Sequence, residues 1–131
     1  MTNTATENIC GLKREDFQTT VNGKKTDLFV LKNAQGNEVA ITNFGGAIVA
    51  IMVPDKNGNR ANVIMGHDNI NDVINSPEPY LSRLIGRYGN RIAKGEFTLH
   101  GKVYDVPVND GPNSLHGGKK GFNVKVWDPE L

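Results

Sequence analysis

Turn-forming pairs recur along this chain at intervals too short for ordinary helices. Asn22-Gly23, the strongest two-residue hairpin signal, separates an alternating run over 17–21 from a strand-like run over 26–32. A turn over 33–37 leads into a further strand over 38–43, so the opening part of the chain reads as a β-meander. Gly45-Gly46 interrupts the pattern, and the nearly continuous apolar run Ala47 to Val53 predicts a strand covered on both faces.

Pro54 presets one corner of the next turn and Gly58 supplies the positive φ of the other, after which Ala61 to Met65 is a short strand ending at Gly66. His67 to Asn75 has few apolar positions and is closed by Pro77 and Pro79. At most two turns of helix are expected there, capped by Asp68 or Asn69. Glu96 to Leu99 should pair with Lys102 to Val106 around His100-Gly101, followed by a loop over 109–113. Short strands at even spacing, with no internal repeat, predict an all-β fold, an antiparallel β-sandwich.

A length of 131 residues fits one domain. Residues 1–14 are polar and aperiodic and are expected to form a flexible arm, with the domain over 15–131. The chain is 37% hydrophobic with a net charge of +1, which offers no global attraction to nucleic acid or an anionic membrane. Its single cysteine, Cys10, excludes an intrachain disulfide and a disulfide-framed secreted fold. The first residues carry neither a basic start nor an apolar run, so a cytoplasmic location is expected.

Two glycine-rich segments hold the residues best suited to a polar ligand. The first is Gly86-Arg87-Tyr88-Gly89-Asn90-Arg91-Ile92 and the second Asn113-Ser114-Leu115-His116-Gly117-Gly118. They bring forked donors and an imidazole onto backbone that glycine lets bend sharply. Arg83, Arg87 and Arg91 recur every four residues, but Gly86 and Gly89 within that window oppose a helix that would align them. His67 and His100 read as loop histidines, whereas His116 stands between Leu115 and two glycines, beside an expected cavity wall. The segment from Gly111 to Lys119 fails the phosphate-loop pattern at both ends. Cys10 and the distant histidines make no zinc site, and no serine has a nucleophile-elbow context.

Taken in order and spacing, Gly86 to Gly95, Phe97, Gly101-Lys102-Val103-Tyr104, Asn113 to Gly118, Gly121-Phe122 and Trp127 resemble the aldose 1-epimerases, the galactose mutarotase family. Upstream, Asn43 to Gly46, Val53-Pro54-Asp55 and Val63 to Gly66 resemble that family's opening strands, so the likeness runs from about residue 25 to 131. The resemblance implies a large antiparallel β-sandwich that interconverts the α and β anomers of aldoses such as galactose or glucose without a cofactor. It implies that Arg91 and His116 hydrogen-bond sugar hydroxyls or the ring oxygen, with Asn90 orienting them and His116 sharing in catalysis. Family members are far longer, and their general base, a glutamate, and principal acid, a second histidine, lie beyond the second motif.

The expectation is therefore an N-terminal part of such an enzyme, which would self-associate or pair with the missing C-terminal half. A non-catalytic carbohydrate-binding or sugar-sensing module is the alternative. Nucleic-acid binding through Arg83, Arg87, Arg91, Lys94, Lys119 and Lys120 is disfavoured by the interspersed acidic residues. A phosphorylated hexose stays open as a substrate because Arg87 and Lys119 could meet a phosphate.

Overall fold

The computed structural model describes residues 11–130, and its strands pair antiparallel throughout. A four-stranded sheet in chain order is formed by β3 (Leu28–Lys32), β4 (Glu38–Thr42), β5 (Ala47–Pro54) and β6 (Arg60–Asn62). Its β3–β4 pair belongs to the meander expected over 17–43, but the first expected strand is not part of this sheet. Before it, β1 (Thr20–Val21) and β2 (Lys24–Lys25) close around Asn22 and Gly23, whose φ values of 50° and 79° suit a tight hairpin turn.

The core lies against this sheet. Phe17, Leu28, Ala40, Val49, Ala50 and Val73 are among its buried members. Each large apolar side chain removed from water contributes about 1.5–3 kcal/mol before conformational entropy is counted. Residues 1–10 of the expected arm lie outside the described residues, but Leu12 is buried in the core. Arg14 opens a 3-10 turn, Arg14–Phe17, and donates to Asp27 through Nε at 2.8 Å and Nη2 at 2.6 Å.

Phe17 therefore ends a turn rather than starting the strand expected over 17–21. It is fully buried, and its carbonyl accepts from the Thr26 hydroxyl at 2.8 Å, which holds the chain in the turn until Thr20. β5 also differs from expectation, because only Ala47, Val49 and Ala50 are buried and the rest of the strand is half-covered or exposed. The strand expected over 61–65 shrinks to Arg60–Asn62. There the Asn62 side chain accepts from the backbone N–H of Ile51 and of Ile64, so that the next ladder pair keeps only the bond from Val63 N–H to the Ile51 carbonyl at 3.0 Å. The expected helix is α1 (Ile70–Ile74), capped by Asn69, which accepts from Asp72 N–H at 2.9 Å and leaves Ile70 and Val73 buried.

The second half of the chain is pinned to the first by backbone pairing. Gly45 N–H donates to the Lys125 carbonyl at 2.7 Å, Leu84 N–H to Gly45 at 2.8 Å and Trp127 N–H to Asn43 at 2.9 Å. Asn43 is itself buried, its side chain accepting from Asp27 N–H and donating to the carbonyls of Lys25 and Trp127. Arg83 is also buried. It donates to the carbonyls of Val73 and Asn123 and lies over the Phe44 ring, and burial pushes its pKa down, with Glu78 partly opposing.

Beyond this junction, β7 (Arg91–Ile92) and β8 (Glu96–Leu99) follow, and β8 pairs with β9 (Lys102–Asp105) as a separate hairpin. Phe97 and Tyr104 stack across it with ring centres 5.2 Å apart. Every residue of β8 and β9 is exposed. The last strand, β10 (Ser114–Leu115), pairs with β7.

Candidate functional site

The pairing of β7 with β10 brings the two glycine-rich segments together. Arg91 stands opposite Leu115, and the residues just outside the ladder, Asn90 and His116, hydrogen-bond each other. His116 N–H donates to the Asn90 carbonyl at 3.0 Å, and Asn90 N–H donates to His116 Nδ1 at 2.9 Å. Since Nδ1 must offer a lone pair to that N–H, the neutral ring carries its proton on Nε2. His116 is thus a donor at its free end.

Arg91 is oriented from two sides. Its Nε donates to Asp110 Oδ2 at 2.6 Å and its Nη1 to Asn90 Oδ1 at 3.3 Å. With Oδ1 engaged, Asn90 keeps its Nδ2 donors free. Asn90, Arg91 and His116 together form an exposed to half-buried group of neutral and cationic donors, a set suited to a ligand rich in hydroxyl oxygens.

A cavity of about 840 Å³ adjoins them, lined by Asn90, Arg91, Ile92, Phe97, Lys120 and Phe122 among others. His116 stands outside that lining, and the next residue, Gly117, is on the wall. Gly117 has φ +90°, and a Cβ there would collide with the Gly86 carbonyl, so glycine is what lets the two motifs touch.

The remaining candidates scatter. Arg83 is buried, Arg87 lies over the Phe122 ring and Arg91 pairs with Asp110, so the three arginines form no common face. His100 occupies the β8–β9 turn at φ 49°, and His67 follows β6 with its Nε2 buried. Cys10 lies outside the described residues. Among the described residues no group of three His, Cys, Asp or Glu is placed to hold a metal ion, and no helix is long and apolar enough to cross a membrane.

Three contributors escape a reading of the sequence. The Tyr80 ring meets the His116 ring edge-on at 4.8 Å, Asn109 hydrogen-bonds both Leu115 and the Tyr80 hydroxyl, and Asp110 holds Arg91. Asn109 and Asp110 carry only the general signal of a polar loop.

A sequence profile of the aldose 1-epimerases matches residues 27–130. The chain belongs to the aldose 1-epimerase family. Galactose mutarotase from Bos taurus is 44% identical over 93 residues, covering 71% of this chain and 27% of the bovine protein. The Rattus norvegicus galactose mutarotase is 39% identical over 109 residues, or 83% of this chain and 31% of its own length. The crystal structure of an aldose epimerase homologue from C. elegans superposes with a TM-score of 0.72 at 30% identity, covering 79% of this chain and 31% of that one. The fold is accordingly that of the all-β aldose epimerases. The chain spans about a third or less of the length of these relatives.

Proposed function

We propose that this chain provides the Asn90, Arg91 and His116 portion of an aldose 1-epimerase site for aldohexoses such as galactose or glucose. The observation that carries the reading is the reciprocal bonding of Asn90 and His116, which leaves Nε2 of the imidazole as a donor, while Arg91 is bonded to the same Asn90. In the reaction, a base removes the proton of the anomeric hydroxyl while an acid protonates the ring oxygen, and the bond between the anomeric carbon and that oxygen breaks. Rotation and reclosure on the other face, with both protons returned, give the other anomer.

In this assignment His116 shares in catalysis by donating from Nε2 to the ring oxygen or a neighbouring hydroxyl, and Arg91 and Asn90 bind hydroxyls and orient the sugar. The chemistry calls on no cofactor. The partner is a small neutral sugar rather than nucleic acid or a membrane, a reading supported by the diverging arginines and the net charge of +1. A cytoplasmic setting is part of the same reading, and the family membership supports it.

The alternative reading is a carbohydrate-binding module that recognises the sugar without turning it over. The proposal includes pairing with a complementary β-rich polypeptide or with a second copy. The exposed β8–β9 hairpin supports that, since an isolated two-stranded hairpin is marginal in water and this one leaves Leu99 51% and Val103 52% exposed.

Polarimetry of freshly dissolved α-galactose with the full chain tests the proposal, beside His116→Asn and Arg91→Ala. Acceleration that both substitutions abolish supports the proposal and means that an acid and a base act beside these residues, within the chain or across an oligomer. Saturable galactose binding with no acceleration would transfer the assignment to the binding module, and absence of both would overturn it.

A further inference from the structure

The outer edge of β10 is completed by a side chain. Leu115 N–H donates to Asn109 Oδ1 at 2.7 Å, and Asn109 Nδ2 donates to the Leu115 carbonyl at 3.0 Å. The carboxamide thus pairs with both polar groups of one peptide residue, as a neighbouring strand would. Asn109 Nδ2 also donates to the Tyr80 hydroxyl at 3.0 Å, and the ring of that tyrosine meets the His116 ring at an interplanar angle of 67°. Asn109 is held in turn by its own N–H, which donates to the Asn113 carbonyl at 3.0 Å.

Two arms of one network therefore converge on His116. Asn109 fixes the backbone of Leu115, the residue before the imidazole, and Tyr80 fixes the ring by an edge contact of the kind aromatic pairs prefer. The opposite side of His116 is held by Asn90 N–H at Nδ1. That hydrogen bond needs the ring turned correctly about its side-chain torsions, and the Tyr80 edge contact bears on that same ring.

We infer that Asn109 and Tyr80 are positioning residues that hold His116 in the orientation in which Nδ1 accepts from Asn90 and Nε2 presents its proton. The inference deepens the proposed role of His116 in sugar recognition and rests on it. Its direct consequence is read on the ring, without any sugar.

The experiment is long-range proton–nitrogen correlation on the uniformly labelled full chain at alkaline pH, where imidazole is neutral, together with hydrogen exchange of the Asn90 amide. The wild-type chain should show His116 as a single tautomer with its proton on Nε2. Asn109→Leu keeps the branching of the side chain and removes its hydrogen bonds. It should convert that pattern to a tautomer average and speed Asn90 exchange about tenfold, the effect of losing one hydrogen bond. Tyr80→Phe keeps the ring and removes only the hydroxyl, so it should move both readouts the same way by less, and it still reports if Asn109→Leu does not fold.

An unchanged His116 pattern and unchanged Asn90 exchange in a folded variant would overturn the inference. Loss of the single tautomer in a chain that binds no galactose would uphold it while removing the sugar-site reading. The two failures are thereby separate.

Discussion

Arg91 Nε and Asp110 Oδ2 lie 2.6 Å apart, and this salt bridge ties β7 to the loop that leads into β10. Both side chains are more than a third exposed, at 54% and 38%. Water screens such a pair, so its value is orientation rather than stability. Asp110→Asn should change the unfolding free energy by less than about 0.5 kcal/mol. On the proposed sugar-site reading, galactose affinity should nevertheless fall by about threefold to tenfold, the scale of one weakened hydrogen bond, as Arg91 loses its fixed direction. Thermal melts and calorimetric titration with galactose, run on the same samples, separate the two effects.

Gly117 and Gly111 both have positive φ, at 90° and 54°, but only Gly117 faces another backbone. Gly111→Ala meets nothing within 4 Å and should cost about 1 kcal/mol of left-handed strain. Gly117→Ala must displace the Gly86 carbonyl as well and should cost at least about 2–3 kcal/mol, lowering the denaturation midpoint and disturbing the Asn90 and His116 amide resonances. Equal midpoints for the two variants would contradict this account of the contact between the motifs.

Asp27 makes stability depend on acidity. Burial opposes its charge, but hydrogen bonds from Arg14, Leu28 N–H and Gln18 outweigh it and hold the carboxyl below its ordinary value of 3.8. Because the folded value lies below the unfolded one, the contribution is complete above the unfolded value and disappears as pH falls through the folded value. Asp27→Asn should cost about 1–3 kcal/mol at neutral pH. The gap to wild type should close in acid, and urea unfolding at pH 7 and at pH 2–3 would measure it, these values bracketing roughly the carboxylate range.

Asn43 joins three parts of the chain through one carboxamide, accepting from Asp27 N–H at 2.8 Å and donating to Lys25 at 3.1 Å and Trp127 at 3.0 Å. At 8% exposure, water has little access to replace those bonds. Asn43→Ala should therefore cost about 2–4 kcal/mol, by stranding several buried backbone groups. Tryptophan fluorescence should register the release of Trp127 at lower denaturant than in the wild type. Coincident release and global unfolding in both proteins, at the same midpoint, would remove Asn43 from this role.

The local part of the fold was legible because a few residues set it without distant help. Asn22-Gly23 and His100-Gly101 supply the positive φ of their turns themselves, and the apolar runs beside them alternate with the period of strands. The place of Phe17 is decided by Thr26 and the core, and the early end of β6 by the Asn62 side chain capturing the Ile51 N–H, neither of which local sequence reveals. The site divides in the same way. Asn90, Arg91 and His116 stood out by their glycine-rich settings, and the β7–β10 pairing places them together. Tyr80 reaches Asn109 across 29 positions, and an asparagine in a polar loop looks the same in sequence whether its amide clasps a strand or faces water.

Asn90 and His116 both sit on left-handed backbone, at φ 65° and 52°. Asparagine tolerates that conformation and β-branched residues resist it. The evolutionary freedom of this surface is consequently smaller than its exposure suggests, because a replacement at Asn90 must satisfy the chain's handedness before it can be judged on how it meets a sugar. Aspartate and glycine pass the first condition, while valine, isoleucine and threonine fail it. Mutational drift at this position therefore leads through a few small polar or achiral residues, whatever ligand selects among them.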